Sequence, residues 1–576
     1  MTDVIEVADR YAAYQALPKA PSETLAWNVY GKGIEAVGRD GHPETVRVPR
    51  PAANQLLVRV DAVGLCFSDI KLIRLGGEHP KLYGRDLTRE PTRLGHEAAV
   101  TVIDVGDELR GRFKPGQRLA IQPDIYVDGR STAYGYTIPG GLIGYQVIGP
   151  EVLAADDGAY VVPVDDRLGY AETALTEPWA CVEAAYTQRR RLTPAKGGRT
   201  WVIGRPGDER PYTLDGVLDG AREIVLTGLS DALVSSIRQR AGHAAVEIKD
   251  FADASGPFDD VILLGPRSAA VVSKAADALA FRGVLNLVAG EPLDGPVEID
   301  IGRLHYHYTA FVGTKGLDAS AAYGETRNRA ELLPGGVAVF IGAAGPMGQM
   351  HVERALRMPG GPARLIGVDL DPDRLAAARE RLQPTADANQ RQLILRVPGP
   401  GETVASIVAA ETNGRGADDV VVTAPAAAAV TDGAALLGRG GMLVVFAGVP
   451  VGTRASLDLS RVFLEGVQYT GTSGSRIADQ QRVVDKTLAG QLSPGRALAA
   501  VGGIDAARDG LQAMIDGRFP GKIVIFPQLR GLPLTSLEDL AAGDAELESS
   551  LGEGGTWTRA TEAILFARYW APPPNP

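Results

Sequence analysis

One stretch of this chain occurs twice. The segment FDDVILLGPRSAAVVSKAADALAFRGVLNLVAG, from Phe258, is matched by ADDVVVTAPAAAAVTDGAALLGRGGMLVVFAG, from Ala417. The match runs on to VGTKG at Val312 against TGTSG at Thr470, an offset of about 158 residues held over about fifty positions. Shared composition alone keeps no such register, so a domain has been duplicated. Each copy alternates short apolar runs with alanine-rich helical segments, the pattern of βαβ units around a parallel sheet. The chain must therefore fold two sheets of one design and bury both.

Around the repeat the texture differs. Residues 25–165 are strand-rich, with short apolar runs such as QLLVRVDAVGLC and AAVTVIDVGDEL separated by turns such as KPGQR. The expected fold class is α/β, a β-rich domain joined to two tandem Rossmann-like doubly wound parallel sheets. The expected boundaries are 1–195 for the first part of the catalytic domain and 196–320 for a degenerate Rossmann-like copy. Residues 321–475 would form the NAD-binding copy, and 476–576 a return to the catalytic domain plus a C-terminal tail. That tail, from about Leu529, reads as partly helical and is a candidate cover for the substrate cleft.

At 576 residues the chain exceeds what one core can serve. A net charge of −11 and a pI near 5.3 argue against nucleic acid or an anionic membrane as the main partner. No apolar run reaches the ~18–20 residues that span a bilayer. The start, MTDVIEVADRYAAYQAL, reads as an amphipathic helix without the plan of a signal peptide. Two cysteines, Cys66 and Cys181, exclude a disulfide framework, and the expected compartment is the cytoplasm.

The front halves of the two copies decide which holds a cofactor. In the second, VAVFIGAAGPMGQMHVERAL gives strand, glycine loop and helix, with Gly342, Gly345 and Gly348 in G-x-x-G-x-x-G spacing and Pro346 and Met347 opening the helix. Glycines there let backbone N–H groups approach a pyrophosphate at the positive end of the helix. About twenty residues on, LIGVD ends a strand on Asp369, a carboxylate suited to both ribose hydroxyls of NAD and repulsive to a 2′-phosphate. Arg374 and Gly448 complete the expected cofactor contacts. The first copy keeps Gly204 and Gly207 but places Asp208 and Glu209 in the loop and Thr227 where the acid should be. It is expected to bind no dinucleotide and to serve a structural role.

A second chemistry lies in VGLCFSDIK, Val63 to Lys71, and LGHEAAVTVIDVG, Leu94 to Gly106. Thiolate and imidazole ligate zinc, and a catalytic zinc keeps one position open. Cys66 and His96 supply two ligands, and Glu97 or Glu177 the third. Ser68 can carry a substrate proton outward, with Lys71 behind it. Cys181 reads as a packing residue, His305 and His307 as alternating positions on a strand, and RRRL at Arg189 as a solvated helix end.

Together GLCFSDIK, LGHEAAVTVIDVG, FKPGQRLAIQPD, GGLIGYQVI, TEPWACVEAAY, GAAGPMGQM and FPGKIVIFP resemble the zinc-dependent medium-chain dehydrogenase/reductase family, in its sorbitol dehydrogenase and sorbose-1-phosphate reductase-like branch. The resemblance implies a chaperonin-10-like catalytic domain split around a Rossmann domain. It also implies one zinc on Cys66, His96 and Glu97, with Glu177 near the open position. Three features depart from the family. The cysteine-rich lobe that carries a structural zinc is missing, Lys71 stands where histidine is common, and the Rossmann segment is doubled. The expected activity is reversible, NAD-linked oxidation of a secondary alcohol on a polyol, sugar or sugar phosphate. Alternatives are an epimerase or lyase that recycles bound NAD, and a non-catalytic nucleotide-binding scaffold. The two copies are expected to pair within one chain as a pseudo-dimer, through YTAFVGTKG and VQYTGTSGS; a homo-oligomer is the other option.

Overall fold

A computed structural model of the chain describes residues 10–16 and 19–572. The strand-rich part is built on two nine-residue strands, β1 (Leu56–Gly64) and β2 (Glu97–Val105), paired antiparallel with Gly64 opposite Glu97. Every residue of β1 is buried, as its continuous apolar run requires. Cys66 caps α1 (Phe67–Leu75), and α2 (Tyr170–Ala184) lies almost wholly buried against both strands.

The duplicated segments form two six-stranded, all-parallel sheets of identical order. In the first copy, β3 (Arg199–Ile203), β4 (Glu223–Thr227), β5 (Ala245–Ile248), β6 (Phe258–Leu264), β7 (Leu279–Val288) and β9 (Ala310–Thr314) line up as β5-β4-β3-β6-β7-β9. Helix α3 (Ala269–Asp277), strand β8 (Val297–Asp300) and helix α4 (Ile301–Tyr306) fall between them. The second copy repeats the plan with β10 (Val337–Ile341), β11 (Arg364–Val368), β12 (Gln392–Arg396), β13 (Ala417–Val422), β14 (Leu437–Val445) and β16 (Gln468–Gly471), in the order β12-β11-β10-β13-β14-β16. Its helices include α5 (Pro346–Arg357), α6 (Ala427–Ala435) and α7 (Ser460–Leu464), the last preceded by β15 (Arg454–Leu457). This is the doubly wound dinucleotide-binding topology, twice.

After the second copy the chain returns to the first domain. Helix α8 (Ile477–Leu488) packs on α2, and β17 (Leu498–Gly503) and β18 (Lys522–Phe526) join the sheet of β1 and β2. The second copy shares one hydrophobic core with this domain, in which Trp179 and Leu175 meet Phe340, Ala344 and Met350. A buried ion cluster ties the same two bodies, with Glu183 of α2 bound to Arg354 of α5 at 3.0 Å and to Lys486 of α8 at 2.8 Å.

The copies meet as a pseudo-dimer, but not through the strands expected. Edge strands β9 and β16 lie side by side with no hydrogen-bond ladder between them. The ladder is made instead by β8 and β15, antiparallel, with Val297 opposite Leu457 and Asp300 opposite Arg454. Each arm then sends its helix across: α4 packs on β16, and α7 packs on β9. One hydrophobic core, including Ile299, Leu304, Leu457 and Phe463, runs through both copies.

Three further expectations are corrected. His305 lies in the last turn of helix α4, because Asp300 accepts the Arg303 N–H and starts a helix where alternation suggested a strand; His307 follows that helix. The RRRL run is no solvated helix end. Arg189 pairs with Asp479, Arg190 donates to the Tyr469 and Arg329 carbonyls, and Arg191 holds buried Asp260 at 2.9 Å. Arg329 holds Asp419 in the second copy the same way, so an arginine–aspartate clamp opens each sheet. The tail does not lie over the cleft. Helix α9 (Arg559–Tyr569) packs Phe566 against Tyr14 and Tyr170, and buried Glu562 accepts the Tyr170 and Ala171 N–H groups that start α2. Of the expected N-terminal helix, residues 10–15 are helical and the earlier part lies outside the described residues.

Candidate active site

Two half-sites face each other across the junction of the catalytic domain and the second copy. The first is a candidate metal-ligand set. Cys66, His96 and Glu97 each present a ligand atom, all within 4.8 Å of one another. Local structure brings them together: Cys66 sits at the turn from β1 into α1, His96 immediately precedes β2 and Glu97 begins it. Asp69 is the keystone. Its carboxylate accepts the Cys66 N–H at 2.9 Å and the Gly95 N–H at 3.3 Å, and lies 3.4 Å from His96 Nδ1. Burial alone would lower the His96 imidazole, but the Asp69 carboxylate and the Cys66 sulfur reverse this and hold it well above the ordinary value.

Glu97 is fully buried. Its Oε1 takes the Lys522 ammonium at 2.5 Å, while its Oε2 has no partner among the described residues. A buried carboxylate oxygen without a partner is costly unless a cation completes it. The space for it depends on Gly64, where a β-carbon would lie 2.1 Å from Glu97 Oε2. Thiol, imidazole and carboxylate are a borderline-soft donor set that fits zinc. Glu177 stands outside the trio, on α2. Burial, helped by the Glu97 and Asp124 charges and opposed by those of His96 and Lys522, pushes its carboxyl up to about 7. Cys181 donates to Glu177 Oε1 at 3.7 Å, and burial pushes that thiol well up, so it stays neutral.

The second half-site is the glycine loop. The three glycines there differ in what demands them. Gly342 has φ of 83°, a left-handed conformation. A β-carbon at Gly348 would lie 2.1 Å from the Gly342 carbonyl oxygen, so helix and strand could not close. Gly345 has an ordinary φ of −68°, and a β-carbon there would touch nothing nearer than Arg374 Nη2 at 3.5 Å. Neither backbone strain nor packing requires glycine at Gly345; close approach of a ligand would. Asp369 directly follows β11, with its Oδ2 accepting the Ala344 N–H at 2.9 Å, which draws its carboxylate against the loop. Leu370 beside it is 86% exposed, and Arg374 keeps a buried, unpartnered Nε.

The first copy lacks this apparatus. Residues 204–222 contain no helix, so no helix N-terminus faces the loop. Asp208 occupies the space with an ion cluster of its own, bound by Arg210 Nε at 2.8 Å and Tyr212 Oη at 2.7 Å, against Gly265 at the end of β6. Arg210 holds the Asp208 carboxyl well below its usual range. Thr227 accepts the Trp201 indole N–H.

The half-sites meet at Gly448, after β14. A β-carbon placed there would lie 3.7 Å from Lys71 Nζ of α1, five residues beyond Cys66, and 3.2 Å from Tyr306 Oη. Ser68 is half-buried on α1, and its hydroxyl has no hydrogen-bond partner among the described residues. His79 also belongs here. It lies 5.1 Å from the Tyr136 ring, which lies 5.9 Å from His96, and burial with the charges of Lys81 and Lys71 pushes it down to about 4. Sequence reading missed His79, Lys522 and Tyr306. Lys522 lay in FPGKIVIFP and Tyr306 between His305 and His307 in GRLHYHYTAF, both stretches singled out for other residues, whereas His79 lay in none.

A barrel-type domain with a thiol–imidazole–carboxylate trio, facing a glycine loop on a doubly wound sheet, defines an alcohol-dehydrogenase type of oxidoreductase. The comparisons agree. Residues 52–183 match the alcohol dehydrogenase GroES-like domain. Mannitol-1-phosphate 5-dehydrogenase of Aliivibrio fischeri is 24% identical over 543 residues, covering 92% of this chain and 96% of its own. L-sorbose 1-phosphate reductase of Klebsiella pneumoniae is 29% identical over 322 residues, 51% of this chain and 75% of its own. Among solved structures, 2R,3R-butanediol dehydrogenase from Bacillus subtilis shares the fold, with TM-score 0.51, 15% identity and coverage of 88% of this chain and 99% of that one. Residues 52–183 thus carry an alcohol dehydrogenase GroES-like domain, and the chain as a whole resembles the medium-chain dehydrogenases/reductases, sorbitol dehydrogenases among them. No helix among the described residues is long and apolar enough to cross a membrane.

Proposed function

We propose that this protein reversibly oxidises a secondary alcohol on a polyol, sugar or sugar phosphate. In this reading Cys66, His96 and Glu97 hold one zinc ion, and Gly342, Gly345, Gly348 and Asp369 hold NAD in the second copy. When bound, zinc supplies a Lewis acid for the alcohol or carbonyl oxygen, and the nicotinamide supplies the hydride acceptor or donor. The chain's own residues do the rest. Asp69 orients His96; Lys522 fixes one oxygen of Glu97 and leaves the other for the metal; buried Glu177 keeps a proton near neutrality beside the trio. Ser68 takes the hydroxyl proton and passes it outward, with Lys71 next along α1. The shared core of α2 and α5 fixes the catalytic domain against the second copy.

The observation that carries the reading is the approach of Lys71 to Gly448, which puts the helix opened by Cys66 against the cofactor cleft of the second copy rather than the first. The test is a screen of polyols, sugars and their phosphates with NAD and NADP, following reduced cofactor, on protein of measured zinc content. Turnover with NAD at one zinc per chain is expected, and Cys66→Ser should lose both. Turnover undiminished in zinc-stripped protein would refute the assignment.

A further inference from the structure

Three polar atoms converge on one point of the cleft. A β-carbon at Gly448 would lie 3.2 Å from Tyr306 Oη, 3.6 Å from His305 Nε2 and 3.7 Å from Lys71 Nζ. Lys71 comes from the catalytic domain, whereas His305 and Tyr306 come from α4 of the first copy, the one without a cofactor loop. None of the three atoms has a hydrogen-bond or ion-pair partner among the described residues. Their chemistry is complementary. His305 Nδ1 lies 3.3 Å from the Val445 carbonyl oxygen, which can only accept, so the ring proton sits on Nδ1 and Nε2 offers a lone pair. Burial, helped by the Lys71 charge, pushes this imidazole down to about 4, so it stays neutral. Lys71 only donates, and Tyr306 can do either. A bare anion would meet the His305 lone pair unfavourably; neighbouring hydroxyl groups satisfy all three.

The duplication supplies an internal control. Gly290 and Gly448 are 158 residues apart, as are His305 and Phe463, Tyr306 and Leu464, and Gly313 and Gly471. The equivalence holds in space, since a β-carbon at Gly471 would meet the His305 Cα and one at Gly313 the Phe463 Cα. On the side without a cofactor loop, the Phe463 ring fills the space against Gly290, with 2.5 Å left for a β-carbon. The same arm is apolar where the cleft is dead and polar where it is live. Packing of the arms alone would give no reason for this difference.

We propose that the first copy completes the active site of the second, with His305 and Tyr306 joining Lys71 to recognise adjacent hydroxyl groups. The proposal deepens the dehydrogenase reading and rests on it. The hydroxyls are those of the substrate carbon chain or of the cofactor ribose, and the test separates the two. Zinc-loaded full-length protein carrying Tyr306→Phe or His305→Leu is compared with the parent in two ways. The first is kcat/KM for a polyol and for a monohydric secondary alcohol. The second is NADH affinity, read by fluorescence titration.

A 10–100-fold loss confined to the polyol, with NADH affinity within twofold, assigns the substrate. A tenfold or greater loss of NADH affinity, with both alcohols affected alike, assigns the ribose. Unchanged polyol kinetics and NADH affinity overturn the proposal, as does an equal loss for both alcohols at constant NADH affinity. Should no alcohol turn over, the dehydrogenase reading fails, and calorimetric binding of sorbitol to the NADH complex decides this one: weakening by either variant supports it, and no effect sinks it.

Discussion

Gly345→Ala separates cofactor binding from packing within one loop. The residue caps α5 with φ of −68°, and its added methyl would meet only Arg374 Nη2 and the Gly342 carbonyl oxygen, each at an ordinary 3.5 Å. Alanine is a poorer N-cap than glycine, so the cost to the fold should be about 0.5–1 kcal/mol. Gly348→Ala differs, because its methyl would sit 2.1 Å from the Gly342 carbonyl oxygen and must push the helix off the strand. A cost of about 1–3 kcal/mol is expected there, as for other overpacked sites. If the pyrophosphate lies on the loop, the Gly345 methyl takes the space its oxygens need. NADH affinity should then fall at least tenfold, about 1.4 kcal/mol, with nearly native stability. The assay is NADH fluorescence titration paired with urea denaturation of the same preparations. Binding should saturate at one NADH per chain, since the first copy has no helix at its loop. A Gly345→Ala protein that binds NADH as the parent does, or a parent that binds two per chain, would refute the reasoning.

Two further predictions concern buried charge. Glu562 is fully buried between α9 and the start of α2, and burial raises its carboxyl from 4.5 to about 7. The folded state therefore holds a proton that the unfolded chain releases, so stability should fall as pH rises from 4.5 to about 7. The associated change is about 3 kcal/mol, and Glu562→Gln should flatten that part of a stability–pH profile. Lys522→Met would leave Glu97 buried without its ammonium and should cost about 3–5 kcal/mol in chemical denaturation. Adding Glu97→Gln should restore part of that loss, and a double variant less stable than Lys522→Met alone would argue against the pair.

The parts legible in the sequence were local or repeated. A duplicated register survives because both copies keep the same core positions, and the glycine loop with Asp369 announces itself within one βαβ unit. Cys66, His96 and Glu97 lie in two short motifs that one pair of antiparallel strands brings together. What sequence could not show was chosen by tertiary geometry. Lys522 meets Glu97 across 425 residues. The arginines at 189–191 look like a solvated cluster until Asp479, Tyr469 and Asp260 are brought to them. His305 and His307 alternate as a strand would, and only the Asp300 cap shows why a helix forms there instead.

The geometry also gives a reason for keeping a nucleotide fold that holds no nucleotide loop. In a symmetric dimer each subunit presents the same arm to its neighbour, so any residue placed in a partner's cleft appears in both clefts. Joining the two copies in one chain removes that constraint: position 305 can be histidine while position 463 is phenylalanine. The two arms should therefore be separable by mutation. His305→Phe with Tyr306→Leu makes the first arm resemble the second, whose Phe463 and Leu464 already pack in the equivalent place. Because an aromatic ring replaces a buried imidazole and Tyr306 is 37% exposed, the thermal midpoint should fall by only a few degrees, about 1–2 kcal/mol. Recognition of the polyol should suffer far more. If instead the double variant unfolds, the polar arm is serving the interface between the copies and the asymmetry has a structural origin.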